Sequence, residues 1–159
     1  KNNIYFDGEK QLGDAGAIKK GMEIAGKNHS YLVLNGDLVI LFKPKRFIKF
    51  YKELSSKYIG VVVAKQMNSQ YGVFEKSNGK QTINSFNEKP EIGLGSCGIY
   101  FFRGSINKLL PSYGSLAKSI ISKHFSKLYL YEIDKNDWIA IETQKDITYA
   151  NNYLKKRGL

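Results

Sequence analysis

The chain has 159 residues, 25 Lys+Arg against 14 Asp+Glu for a formal charge of +11, 42% hydrophobic residues and 13% aromatics. That length suits one globular domain, 1–159, and the apolar content excludes a disordered chain. No apolar run approaches the roughly 20 residues that cross a bilayer, residues 1–9 are unlike a signal peptide, and a lone cysteine excludes an internal disulfide.

The expectation is therefore a soluble, cytoplasmic protein with no membrane partner. With only His29 and His124 beside Cys97, a Cys/His zinc site is excluded as well. Much of the positive excess falls in residues 43–57 and 145–157, which read as helices with solvated lysine faces. No zinc finger, RNA-recognition signature or Arg-rich arm is present, so nucleic acid is not the expected partner.

The chain opens on a short strand-like run, Ile4-Tyr5-Phe6. Residues 14–25 then read as a helix with Ala17, Ile18, Met22 and Ala25 on one face and Gly26 as its cap. The run Tyr31-Leu-Val-Leu34 is continuously apolar, which predicts a strand covered on both faces, the habit of parallel sheets. Phe47, Ile48, Phe50, Tyr51 and Leu54 give the next helix its apolar side, and Ile59-Gly-Val-Val-Val-Ala64 gives another buried strand. The order is βαβαβ.

Beyond Ala64 the pattern shifts to shorter alternating strands, 71–76 and 82–86, separated by Ser77-Asn78-Gly79, a hairpin signal. A strand at 97–102, helices at 105–110 and 116–125, a strand at 128–133 and a short apolar segment at 138–141 follow. The last helix starts near Gln144 behind a capping box, Thr143-x-x-Asp146, with Ile147, Ala150 and Leu154 expected on its buried side.

Several stretches sit where such a sheet would hold a ligand. Asn35-Gly36-Asp37 follows a buried strand directly, so the Asp37 carboxylate falls at the carboxyl end of the sheet, where it could hold a divalent metal or simply close a turn. Leu12-Gly13-Asp14-Ala15-Gly16-Ala17 opens the first helix, where backbone N–H groups can meet an anion and small residues can equally serve close packing. Tyr71-Gly72 allows close backbone approach, and in Glu88-Lys89-Pro90 a carboxylate and an ammonium could bind a sugar hydroxyl and a phosphate. Residues 21–28, Gly-Met-Glu-Ile-Ala-Gly-Lys-Asn, nearly spell a phosphate-binding P-loop, but they end a helix where the motif needs a strand-to-helix turn. Cys97, between Ser96 and Gly98, reads as a small core residue, not a nucleophile.

In order, Leu12–Ala17, Leu34-Asn-Gly-Asp37, Tyr71-Gly-Val73, Phe86-Asn-Glu-Lys-Pro90, Cys97-Gly-Ile-Tyr-Phe-Phe102 and Asp137-Trp-Ile-Ala-Ile-Glu-Thr143 resemble the sugar nucleotidyltransferase family. Mannose-1-phosphate guanylyltransferases and glucose-1-phosphate thymidylyl- or uridylyltransferases belong to it, and the resemblance runs over about residues 9–153. It implies an α/β fold: a mixed, mainly parallel Rossmann-like sheet with helices on both faces, incomplete at the N-terminus. The chain would be the C-terminal two-thirds or so of the catalytic domain.

The implied reaction transfers NMP from an NTP to a sugar 1-phosphate, giving a nucleotide sugar and pyrophosphate with Mg²⁺ assisting. NTP and sugar 1-phosphate are the implied partners, and a homo- or hetero-oligomer stays open. Carried over, Asp37 would be the metal ligand and, with Lys89, a catalytic residue. Leu12, Gly13 and Gly16 would line the base pocket, and Gly72, Glu88, Lys89, Ser96 and Gly98 the sugar-phosphate site. The sugar phosphate itself attacks, so no protein nucleophile is implied.

The chain departs from the family pattern in three places. The glycine-rich opening loop with its Arg and Lys-Pro would lie upstream of Lys1. Where the family has Trp-x-Asp-x-Gly-Thr, this chain has Trp138-Ile-Ala140-Ile-Glu142-Thr143, so Ala140 stands at the second metal-binding position. Ser96-Cys97-Gly98 replaces the usual Asn-Ala-Gly or Thr-Gly. A catalytically silent regulatory or binding homologue is the alternative these departures raise.

Overall fold

The computed structural model describes residues 4–26, 29–68, 73–77, 82–87, 92–134 and 136–159. Helix α1 (Gly13–Ala25) starts with Asp14 in its first turn and is followed by Gly26 at φ +98°. Because α1 runs through Ala25, Gly21 lies inside a helix and the P-loop lookalike has no strand before it.

Strands β1 (Ser30–Leu34) and β2 (Leu38–Ile40) follow, then α2 (Pro44–Glu53), whose proline occupies the first turn where no intrahelical N–H is needed. Next come β3 (Gly60–Asn68), β4 (Val73–Lys76), β5 (Ile83–Asn87) and the long β6 (Ile92–Arg103). The chain closes with β7 (Leu128–Glu132), β8 (Trp138–Ala140) and a last helix at Gln144–Lys156. The two helices expected between β6 and β7 are less regular: Gly104–Lys108 is a 3-10 turn, and Ala117–Ile121 is a π turn running into the single helical turn α3 (Ser122–His124). The last helix is accordingly α4.

The main sheet has the order β5-β4-β6-β3-β7, with β1 also paired to β6; β2 and β8 make a separate two-stranded sheet. The mixed α/β fold is as expected, but the pairing departs from a mainly parallel sheet. Strands β1, β3 and β7 share one direction, yet β6 runs against them between β1 and β3, and among the described residues only β3–β7 pair in parallel. A twelve-residue strand interposed in this way turns neighbours that would be parallel into antiparallel ones.

Alternation along the central strands sorts the core into two clusters. Val62, Tyr100, Phe102, Leu128 and Leu130 pack with Ala15 and Met22 of α1 and with Ile106, Leu116 and Ile120. Val61, Val63, Cys97 and Ile99 pack on the opposite face with Phe47 and Tyr51 of α2 and with Trp138. Helical segments therefore cover both faces, and Val61–Ala64 are fully buried as their apolar run predicts.

β1 differs from that reading. Tyr31 and Val33 pack against the first cluster, whereas Leu32 and Leu34 are 42% and 47% exposed. In the described structure β1 has β6 as its sheet neighbour and little over its second face, so a continuous apolar run here is half covered. In α4, Ala150 is buried but Ile147 is 40% exposed. Its capping box is present: the Asp146 carboxylate accepts from the Thr143 N–H at 2.7 Å.

Candidate functional site

The site grows from a change of partner along β6. Its first half pairs with β4, through Val73↔Gly95 and Phe74↔Leu94. Its second half pairs with β1, from Leu34↔Ile99 to Ser30↔Arg103. Between Gly95 and Ile99 the described residues of these two strands make no pairing, and on the other edge the register with β3 shifts, Val62 facing Tyr100 and Ala64 facing Ser96. Two β3 steps thus span four of β6, a bulge of the kind that re-aims side chains beside functional sites.

Gly98, at φ +66°, makes the bulge possible. A Cβ there would also stand 2.6 Å from Asn35 Nδ2, so the tight approach of the β1 exit to β6 requires glycine. The Asn35 N–H donates to the Gly98 carbonyl at 2.9 Å, and the Ile141 N–H donates to the Asp37 carbonyl at 2.8 Å. These two bonds pin the Asn35-Gly36-Asp37 turn between β6 and the end of β8.

The result is a cleft of about 220 Å³ lined by Asn35, Asp37, Ser96, Gly98, Tyr100 and Glu142 on its polar parts. Leu38, Phe86, Cys97, Ala117, Ile121, Trp138 and Ala140 complete the wall. The π turn contributes Ala117 and Ile121, in keeping with the association of such bulges with functional sites. Among the described lining residues the charged side chains are two carboxylates, Asp37 and Glu142, in a chain of net charge +11.

Trp138 is held from several sides. Its indole N–H donates to the Cys97 carbonyl at 2.7 Å, while the Lys65 ammonium lies 4.4 Å from its ring centroid and donates to its carbonyl at 3.3 Å. Burial lowers the Lys65 pKa, partly opposed by Cys97, and burial pushes the Cys97 thiol up to about 12 despite the lysine. A thiol held protonated in this way is a packing group, as its sequence context indicates.

Of the sequence candidates, Asp37, Ser96 and Gly98 come together in this cleft. Leu12 does not join them: it lines a separate surface depression with Lys10, Gln11 and Tyr113. Gly13 and Gly16 bring α1 close to the 112–114 loop, where a Cβ would stand 2.5 Å from the Gly114 and Ser112 carbonyl oxygens respectively. The small residues at the start of α1 are thus engaged in close packing in this structure. Asp14 has a structural task too, its carboxylate accepting from the Leu116 N–H at 2.8 Å and so fastening the π-turn segment to α1. Gly72, Glu88 and Lys89 lie outside the described residues.

Tyr100 and Glu142 were not singled out from the sequence. The only signal for Tyr100 was its even spacing from Ser96 and Gly98 along one strand, and for Glu142 its spacing of two from Ala140.

Comparison with known proteins bears on the family and the fold. A family model described as nucleotidyl transferase matches residues 1–157. The catalytic subunit beta of mannose-1-phosphate guanylyltransferase from Dictyostelium discoideum is 27% identical over 92% of this chain and 44% of its own length. Mannose-1-phosphate guanylyltransferase 1 from Arabidopsis thaliana is 28% identical over 90% of this chain and 42% of its own length. The chain spans less than half the length of these curated relatives. Among solved structures, a putative glucose-1-phosphate thymidylyltransferase from Bacillus anthracis superposes with a TM-score of 0.72 at 18% identity, covering 91% of this chain and 62% of that one. HddC from Yersinia pseudotuberculosis, complexed with GMP-PN, gives a TM-score of 0.69 at 18% identity over 91% of this chain and 63% of its own. The structural likenesses establish the fold, and the match of the family model along nearly the whole chain establishes that it belongs to the nucleotidyl transferase family.

Proposed function

We propose that this chain forms the sugar-phosphate side of a nucleotidyltransferase site, in which an NMP passes from an NTP to a sugar 1-phosphate and pyrophosphate leaves. The observation that carries the reading is the meeting of Asp37, at the exit of β1, with Ser96 and Gly98 of the β6 bulge in one cleft walled by Trp138. An aromatic face beside neutral polar atoms suits the mixed C–H and hydroxyl surface of a sugar ring.

Two carboxylates and no cation among the described lining residues would repel a phosphate, so a divalent ion is the natural complement. Among the described residues no three His, Cys, Asp or Glu gather into a metal site. The donor chemistry nevertheless fits Mg²⁺, which takes one or two carboxylates and draws its other oxygens from phosphates and water. Asp37 would hold it, with Glu142 nearby, and the ion would supply neutralisation of phosphate charge.

The chain's own residues do the rest by positioning. Backbone bonds at Asn35 and Asp37 hold the carboxylate at the cleft, Trp138 offers a wall to the sugar, and Glu88 and Lys89 are proposed to bind its hydroxyls and phosphate. No protein nucleophile is required, in keeping with a Cys97 thiol held protonated in the core.

The test is Mg²⁺-dependent pyrophosphate release by the complete gene product from a panel of NTPs with hexose 1-phosphates. Asp37→Asn should lower turnover by about 100-fold or more, as for loss of an electrostatic anchor. Absence of turnover with every pair rejects the transferase.

A second reading, a catalytically silent binding subunit, is favoured by Ala140, which lines the cleft between Trp138 and Glu142 without a ligating group. Restoration of metal-dependent turnover by Ala140→Asp in an otherwise inactive protein supports it, and activity of the unmodified protein dismisses it.

A further inference from the structure

The helical wall of the cleft is held from outside its own segment. Ala117 and Ile121, which line the cleft, belong to a five-residue π turn that runs into the three-residue α3. So short a segment makes too few internal hydrogen bonds to fix itself, and its first N–H groups have no partners within it. Leu116, at its start, carries no side chain that could cap them.

The acceptor comes from α1. Asp14 Oδ1 accepts from the Leu116 N–H at 2.8 Å, 102 residues away in sequence, and from the Ala15 N–H at 3.0 Å. The carboxylate thus stands at the starts of two helical segments at once, where both favour negative charge. The start of α1 has further fastenings. The Ala15 N–H also donates to the Gly114 carbonyl at 3.0 Å and the Gly114 N–H to the Leu12 carbonyl at 2.8 Å. Removing the Asp14 carboxylate therefore leaves α1 in place and releases the segment 116–121.

We propose that Asp14 is a positioning residue for the cleft, its carboxylate setting the Ala117 and Ile121 wall against which a sugar 1-phosphate lies. The inference rests on the sugar-phosphate reading above and names the residue that preorganises that side of the site. Two observations support it. Leu116, Ile120 and Ile121 are buried in the same cluster as Ala15, which seats the segment without choosing its winding, because apolar burial has no direction. A hydrogen bond at the first N–H has one, and so selects the winding that turns Ala117 and Ile121 into the cleft. Asp14 also lies within electrostatic reach of the cleft. Burial chiefly raises the Tyr100 pKa, the Ser96 bond opposes the rise, and the Asp14 charge adds to it.

The experiment uses the complete gene product and reads two quantities: affinity for hexose 1-phosphates, by calorimetry with Mg²⁺, and amide hydrogen exchange over residues 116–121. Asp14→Ala should weaken the preferred hexose 1-phosphate about tenfold and speed exchange by a similar factor, the low end for a lost hydrogen bond to a charged group. Asp14→Asn keeps an Oδ1 acceptor and should stay within about twofold of the wild type in both. Phe47→Leu loosens the core on the opposite face of the sheet and should lower Tm with neither effect.

A merely structural Asp14 would behave as Phe47 does, so a lower Tm of Asp14→Ala with affinity and exchange unchanged overturns the inference and leaves the transferase reading standing. Weak binding by both Asp14 variants, with slow exchange over 116–121 retained, overturns it by making the charge act on the ligand directly. Binding of no hexose 1-phosphate by the wild type overturns both. If Asp14→Ala fails to fold, exchange in the wild type decides. Hexose 1-phosphate should slow the 116–121 amides, and rates unmoved by saturating ligand contradict a wall that meets it.

Discussion

The indole N–H of Trp138 donates to the carbonyl of Cys97 across 2.7 Å, joining the small β2–β8 sheet to the bulged segment of β6. Both residues are buried, so water cannot replace the bond. Trp138→Phe keeps a ring in place but leaves the Cys97 carbonyl without its donor. The expected cost is about 1–3 kcal/mol, read as a lower denaturation midpoint at constant m-value.

Two glycines of α1 should respond in opposite directions to the same substitution. Gly16→Ala puts a Cβ 2.5 Å from the Ser112 carbonyl oxygen, a backbone atom that cannot swing aside, so α1 must separate from the 112–114 loop. A loss of about 1–3 kcal/mol follows from overpacking. Gly21→Ala meets nothing within 4 Å inside the same helix and should gain about 0.5–1 kcal/mol. Chemical denaturation of the pair distinguishes the two; equal effects would contradict the packing described.

Cys97 should resist alkylation. With its thiol pushed up to about 12 by burial, almost no thiolate exists near pH 8, and the sulfur is out of reach of solvent. Iodoacetamide labelling of the native protein is expected to proceed only at the rate of opening, and to become fast in denaturant. Rapid native labelling would disprove the burial.

The α4 capping box gives an acid-sensitive helix end. Hydrogen bonds from the Thr143 side chain and backbone hold the Asp146 pKa below its ordinary 3.8. A depressed carboxylate contributes stability that is complete above the unfolded value and is lost as pH falls through the folded one. Helicity by circular dichroism should therefore fall at its acid end only below about 3.8, and Asp146→Asn should remove that component while lowering the helix content at neutral pH.

Where local chemistry suffices, the chain is readable without coordinates. The run Val61–Ala64 is buried on both faces, the Thr143–Asp146 box starts α4, and the Asn-Gly-Asp turn ends β1, each because neighbouring side chains and backbone groups decide the matter within a few residues. β1 shows the limit. Its composition matches a central strand, but burial depends on what lies beyond its far edge, and Leu32 and Leu34 stay half exposed. The helix expected at 116–125 likewise opens as a π turn, since Asp14 draws in the Leu116 N–H from a segment far away in sequence.

The order of motifs alone determined the family, the mixed α/β class and the placement of Asp37 at a strand end, because these depend on short-range pattern and on residue types in sequence. Only the tertiary structure decided which of those residues meet. β6 exchanges β4 for β1 as its neighbour, and the bulge at Gly98 turns Ser96 and Tyr100 toward each other beside the cleft, whereas Leu12 is left at another surface depression and Gly16 is buried against the Ser112 carbonyl. Pairing of strands distant along the chain is settled by the packing of the whole sheet, which no local periodicity encodes.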